Sequence, residues 1–174
     1  MGVFTHTGII LKIMTIQFEI ETGAGSETAT SYATGAQFKQ YWQNRGVAIS
    51  DNDIVIQAHL NVGAEYLDLN NRYIGCKTDA DQRREWPRCL DNQSVYNNLI
   101  YSNEIPSEII DASCYLAYQN KINNLWPIDE GVSSRSLGPV STNYKRFEGF
   151  KSFPYIDTLL SKYLSSMPGI IRVN

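Results

Sequence analysis

SDNDIVIQAHLNVGAEYLDLNNRYIG, residues 50–75, decides the fold class. Ile56, Leu60, Ala64 and Leu67 fall three or four residues apart, which places them on one face of an α-helix. Ser50 with Asp53 three residues later is a helix-start pattern, and Gly75 beyond the last apolar position is a stop. The stretch reads as one long helix over about 51–72, whose apolar stripe needs other elements to cover it.

Three more segments supply such elements. Thr34 with Gln37 is a capping box, Phe38, Tyr41 and Trp42 form an apolar stripe, and Gly46 ends a helix over 35–45. Pro106 opens a helix over 106–123, with Glu108 and Asp111 near its start and Lys121 near its end, as the helix dipole favours. Ile109, Ala112, Leu116 and Ala117 give it a buried face, and Trp126-Pro127 closes it against the core. Pro154 opens a last helix over 154–165, carrying Tyr155, Ile156, Leu159, Leu160, Tyr163 and Leu164, before Pro168-Gly169. Tyr41, Trp42, Tyr66, Tyr155 and Tyr163 lie on helical stripes and read as core.

The β content is small. Ile16, Phe18 and Ile20 alternate with polar residues as a short strand or arm, which Thr22-Gly23-Ala24-Gly25-Ser26 ends as a turn. Val132–Leu137 and Val140–Lys145 flank Gly138-Pro139 as a hairpin. The expected architecture is mainly α: about a four-helix core, a small β-hairpin, and extended N- and C-terminal arms.

At 174 residues, with 43% hydrophobic and 19% charged residues, the chain has an ordinary globular composition. Its net charge of −3 argues against a dedicated nucleic-acid binder, which is usually basic. The charge is uneven: residues 1–131 sum to −7 and residues 132–174 to +4. Cys76, Cys89 and Cys114 form no CxxC pair, which suggests reduced thiols rather than a disulfide framework. No run approaches the roughly 18 apolar residues of a membrane span, and Lys12 interrupts the apolar Gly8–Ile16 patch, so neither a membrane anchor nor a signal peptide is expected. Residues 1–15 read as an N-terminal extension, with Met14 an alternative start.

Residues 76–104 are polar and carry Glu85-Trp86-Pro87-Arg88-Cys89. A loop this long in a compact domain is usually functional or mobile. Pro87 biases Trp86 towards extended backbone, which is expected to hold the ring out stiffly. Tryptophan beside arginine suits an interface hot spot or a base-stacking platform. Basic and aromatic residues also interleave at Tyr144-Lys145-Arg146-Phe147. His6 and His59 with three cysteines lack zinc-ligand spacing. Asp79-Ala80-Asp81 begins like a calcium loop, but Arg84 stands where glycine is needed. Gly23-Ala24-Gly25 lacks the third glycine of a phosphate cradle, and no nucleophile is paired with a base. No enzyme, cofactor or metal is expected.

In order, several motifs resemble a family of tailed-phage proteins. They are Thr22-Gly23-Ala24-Gly25, Ser31-Tyr32, Tyr41 with Arg45-Gly46, Ala64-Glu65-Tyr66-Leu67-Asp68, Trp86-Pro87-Arg88 and Ile105-Pro106. Leu116-Ala117, Ser136-Leu137-Gly138-Pro139-Val140 with Tyr144, and Tyr155-Ile156-Asp157 before Leu159-Leu160 complete the series. The family is often labelled DnaT-like single-strand-DNA-binding protein, and its layout is similar to the head–tail connector adaptors that dock beneath a phage portal. The resemblance covers residues 16–174 as one connector-like domain, with the 76–104 loop and a C-terminal arm at 166–174.

As a connector, the resemblance implies a ring of about twelve copies, built by head-to-tail contacts. It implies portal and stopper or tail-completion partners, DNA passing through the lumen without sequence recognition, and no membrane. Its place would be the virion, with the host cytoplasm during assembly. Trp86, Pro87, Arg88, Gly138, Pro139, Ile170, Ile171 and Arg172 are the candidate interface. The alternative is a single-strand-DNA-binding protein of phage replication, with Trp86, Arg88, Tyr144, Lys145 and Arg146 as the platform. A strand binder should be basic and steeply salt-dependent, so the composition favours the connector. Beside these motifs Trp86-Pro87-Arg88 reads more as an anchor than as a platform, with Trp86 pinning the long loop to its own helices or to the adjacent subunit and Arg88 pairing with a carboxylate there.

Overall fold

The computed structural model describes residues 18–90, 101–126 and 152–165, together with the backbone of two strands at 134–137 and 140–143. Its helices are α1 (Gly35–Gln43), α2 (Asp53–Asn70), α3 (Ser107–Ile122) and α4 (Pro154–Leu160), the last running on as a 3-10 turn at Ser161–Tyr163. Two antiparallel ladders accompany them, β1 (Cys76–Lys77) with β2 (Arg88–Cys89) and β3 (Ser134–Leu137) with β4 (Val140–Asn143). The fold is mainly α with a small β-hairpin, as the sequence indicates. The β1–β2 ladder was not expected and gives part of the 76–104 loop its own structure.

The helix starts follow local chemistry. At α1 the Thr34 hydroxyl accepts the Gln37 N–H at 3.0 Å, and the Gln37 side chain accepts the Thr34 N–H at 2.7 Å. This reciprocal bonding satisfies two donors that the helix itself leaves unpaired. At α2 the cap is Asn52, whose Oδ1 accepts the Val55 N–H at 2.9 Å, and not Ser50. With the first helical residue at 53, only the side chain at 52 has the right reach. Gly46, with φ +76°, follows the end of α1. Gly75 is not the stop of α2, which ends at Asn70. It turns the chain into β1 with φ +72°, where a Cβ would lie 2.3 Å from the Cys89 carbonyl oxygen.

The α2–α3 pair is the centre of the fold. The two run antiparallel, with Asp51 before α2 bridged to Lys121 near the end of α3 at 2.6 Å. Small residues let their backbones approach. A Cβ on Gly63 would sit 2.9 Å from the Ser113 carbonyl oxygen and the Ala117 nitrogen, and Ala64, Ala112 and Ala117 are buried.

One apolar cluster joins Ala33, Phe38, Tyr41 and Trp42 to Ile56, Leu60, Cys114 and Ala117, seating α1 on the pair. The other joins Leu67, Tyr73, Trp86, Ile109, Leu116, Leu125, Ile156, Leu160 and Tyr163, seating α4 and the Trp86 loop. Trp126 packs against this second cluster, its ring 5.6 Å from that of Tyr66. Tyr155 departs from the sequence reading: it is 41% exposed and not core.

At the N-terminal side, Ile20 makes an isolated parallel bridge to Ser31, and Phe18 packs against the α1 cluster. The β3–β4 register pairs Leu137 with Val140. Gly138, Pro139, Tyr144, Lys145, Arg146, Ile170, Ile171 and Arg172, like the C-terminal arm at 166–174, lie outside the described residues.

Gly63→Ala should weaken the α2–α3 contact by about 1–3 kcal/mol, since a methyl there meets backbone that cannot move aside cheaply. Urea unfolding checks this as a lower midpoint at unchanged slope.

Candidate functional site

The Trp86-Pro87-Arg88 element is turned inward. Trp86 is 0% exposed: the ring is not held out from the domain but pins the loop to the chain's own core, the first of the two anchors that the sequence offers. Its indole meets Tyr73 and Tyr163 edge to face, at centroid distances of 5.6 and 5.4 Å. The Trp86–Pro87 peptide bond is cis. The apolar surface of α2, α3 and the 3-10 turn offers the ring more burial than the loop's polar surroundings suggest, and local backbone preference does not oppose it. Among the described residues, Trp86 Nε1 is buried without a hydrogen-bond partner, as is Arg84 Nε in the same loop.

A buried polar network fixes the loop beside the ring. The Trp86 N–H donates to the Tyr32 hydroxyl at 3.2 Å, and that hydroxyl donates to Asp68 Oδ1 at 2.5 Å. Asp68 Oδ2 takes Arg84 Nη1 at 3.1 Å. Arg84 Nη2 donates to Asn61 Oδ1 at 2.9 Å and also to the Thr30 carbonyl. Burial pushes the Asp68 carboxyl up, while the Tyr32 hydroxyl and the Arg84 guanidinium oppose that rise. Burial likewise pushes the Tyr32 phenol well above its ordinary range, with the Asp68 charge adding to the rise.

Arg88 is committed to the same loop. Its Nε donates to the Ile74 carbonyl at 2.8 Å and its Nη2 to the Gly75 carbonyl at 2.7 Å. Its Nη1 reaches Glu85 Oε2 at 2.6 Å. With Arg88 only 7% exposed, the guanidinium clamps β1 to β2 and has no face open to a ligand. The carboxylate that pairs with Arg88 is Glu85 of its own loop, three residues away, and not one on the helices or on an adjacent subunit. Trp86 and Arg88 are brought together as an internal anchor, and neither can stack on a base from this position.

Glu21 does comparable work in the 22–26 turn. Its buried carboxylate accepts the N–H groups of Gly23, Gly25 and Ser26 at 2.9, 3.0 and 2.8 Å. Gly23, with φ +103°, lies so close to the 101–104 segment that a Cβ would overlap the Asn103 carbonyl. The Gly23-Ala24-Gly25 turn is thus closed by the protein's own carboxylate and is not a phosphate cradle. His59 sits half-buried with Nδ1 2.9 Å from the Asn120 amide nitrogen, and burial pushes its pKa down. Among the described residues no group of three metal-ligating side chains is gathered, and no helix is long and apolar enough to cross a membrane.

The surface feature that sequence reasoning missed is a groove of about 350 Å³ between α1 and α3. Gln37, Gln40, Tyr41 and Asn44 line one side, with Arg45 just beyond α1, and Ser107, Ile110, Asp111 and Cys114 line the other. The Arg45 guanidinium lies over the Tyr41 ring, 3.5 Å from its centroid, and Nη1 donates to the Tyr41 carbonyl at 3.0 Å. The residue spacing was visible: positions 37, 40, 41, 44 and 45 repeat at helical period. What could not be seen was that α3 lies alongside them.

Trp86→Ala should cost about 3–5 kcal/mol, the usual range for emptying a large aromatic site. Trp86→Phe should cost less than its volume loss implies, because it also removes an unpaired buried donor. Urea unfolding of both variants checks the order and the gap.

No curated protein and no solved structure matches the chain. A family model described as "Putative DnaT-like ssDNA binding protein" matches residues 16–174. The match has the bounds given above for the resemblance and takes in the α1–α3 groove, the Trp86 anchor and both ladders. The chain belongs to this DnaT-like family.

Proposed function

We propose that the chain binds single-stranded DNA in a tailed phage. The family match over residues 16–174 is the observation that carries this reading. Trp86 and Arg88 are committed internally, so on this reading the contact lies elsewhere, for example at exposed Arg45, whose guanidinium covers the buried Tyr41 ring. With a net charge of −3 the affinity should be modest and driven by a few local phosphate contacts.

A second reading is the head–tail connector adaptor: a ring of about twelve copies beneath the portal, joined to a stopper or tail-completion protein, with DNA passing through. Two observations favour it. The chain's net charge is negative, and the Trp-Pro-Arg element stiffens a subunit and offers nothing to a strand. On this reading Gly138, Pro139, Ile170, Ile171 and Arg172 reach the neighbouring copy or the portal, and the protein resides in the virion. Neither reading makes the chain an enzyme.

Fluorescence anisotropy with a labelled 20-nucleotide single strand at low salt separates the two. The first reading expects saturable binding that weakens with added salt, with a log–log slope of about −0.7 per phosphate contacted. No binding at low salt, together with association with portal in native mass spectrometry, puts the connector first.

A further inference from the structure

The α1–α3 groove holds two opposite charges that do not meet. Arg45 makes one hydrogen bond, to the Tyr41 carbonyl, which leaves most of its guanidinium donors without a partner among the described residues. Asp111, on the facing helix, is half-buried, and its carboxylate has neither a hydrogen bond nor an ion pair among the described residues. Burial pushes the Asp111 carboxyl up while the Arg45 charge opposes the rise, so each side chain senses the other across the groove.

The neighbouring carboxylate on α3 is already paired. Glu108 is taken by Lys162 at 2.5 Å and by the Tyr163 hydroxyl at 2.9 Å. On the α1 side, Gln40 is bonded to Asn44 at 2.7 Å. A carboxylate on one wall of an open groove and a guanidinium on the other suit a ligand that donates to Asp111 and accepts from Arg45.

From this geometry we infer that the α1–α3 groove is a nucleobase site whose best ligand is guanine in a single strand. The inference rests on the strand-binding reading above. A flipped or unpaired guanine presents N1–H and N2–H donors along one edge, which suit a carboxylate, and O6 and N7 acceptors, which suit an arginine fork. The groove volume of about 350 Å³ admits one planar base. Thymine offers a single N–H donor and no bidentate partner for either charge. Arg45 resting on Tyr41 is held in place before any ligand arrives.

Anisotropy with labelled d(GT)10 and d(T)20, on the full chain at fixed low salt, tests this. The wild type should bind d(GT)10 about tenfold or more tightly than d(T)20, the scale of one good bidentate base contact. Asp111→Asn should erase that preference while leaving d(T)20 binding nearly unchanged. Arg45→Ala should weaken both. Lys39→Ala, which removes an exposed cation paired to Asp53 outside the groove, should keep the preference. Circular dichroism and melting of each variant verify folding. Equal binding of the two strands by the wild type, or a preference that survives in Asp111→Asn, overturns the base site and leaves the strand-binding reading standing. Binding of neither strand by the wild type overturns both.

Discussion

Asp68 is the residue on which the rest of the arrangement depends. It lies on α2 beside the core, where a carboxylate can stay only if hydrogen bonds replace its water. Tyr32 and Arg84 supply them, and each carries another segment with it. Tyr32 brings the strand-like stretch before α1 and receives the Trp86 N–H. Arg84 brings the loop after β1 and reaches back to Thr30 and Asn61. One carboxylate thus ties two stretches distant in sequence to the same helix. The indole of Trp86 then fills the space they enclose. A network of this kind is demanding, since removing one member leaves the others buried and unpaired, and its value lies in fixing one arrangement of the loop.

The helical frame was legible in the sequence because it rests on local signals. Thr34 with Gln37, the stripe from Ile56 to Leu67, and Pro106 ahead of Ile109 each declare themselves within a few residues. Small errors came from competition between neighbours, as where Asn52 caps α2 in place of Ser50. For Trp86 the sequence left two anchors open, its own helices or an adjacent subunit. A tryptophan between charged residues in a polar stretch looks exposed, and its burial depends on Tyr73 and Tyr163, which lie 13 residues before it and 77 after it. The α1–α3 groove was hidden for the same reason: Arg45 and Asp111 become neighbours only when the helices pack. Tyr155 erred the other way, sitting on a helical stripe of which only part is covered.

The inward turn of Trp86 and Arg88 changes how the family's description bears on this chain. Strand binding here cannot use the aromatic–arginine pair that stands out in the sequence. It must use weaker surface features, and the net negative charge limits how far long-range attraction can help. A connector role needs no strand affinity and would be served by a subunit made rigid through the same anchor. Both readings need the anchor intact, and they differ in what the outer surface meets.

Tryptophan fluorescence of a Trp42→Phe, Trp126→Phe variant, in which Trp86 is the sole emitter, tests the inward anchor most directly. Emission at short wavelength, little quenching by acrylamide, and no change on adding a single-stranded oligonucleotide is the result the structure predicts. Emission near that of tryptophan in water, ready quenching, and a shift on adding the oligonucleotide would contradict it.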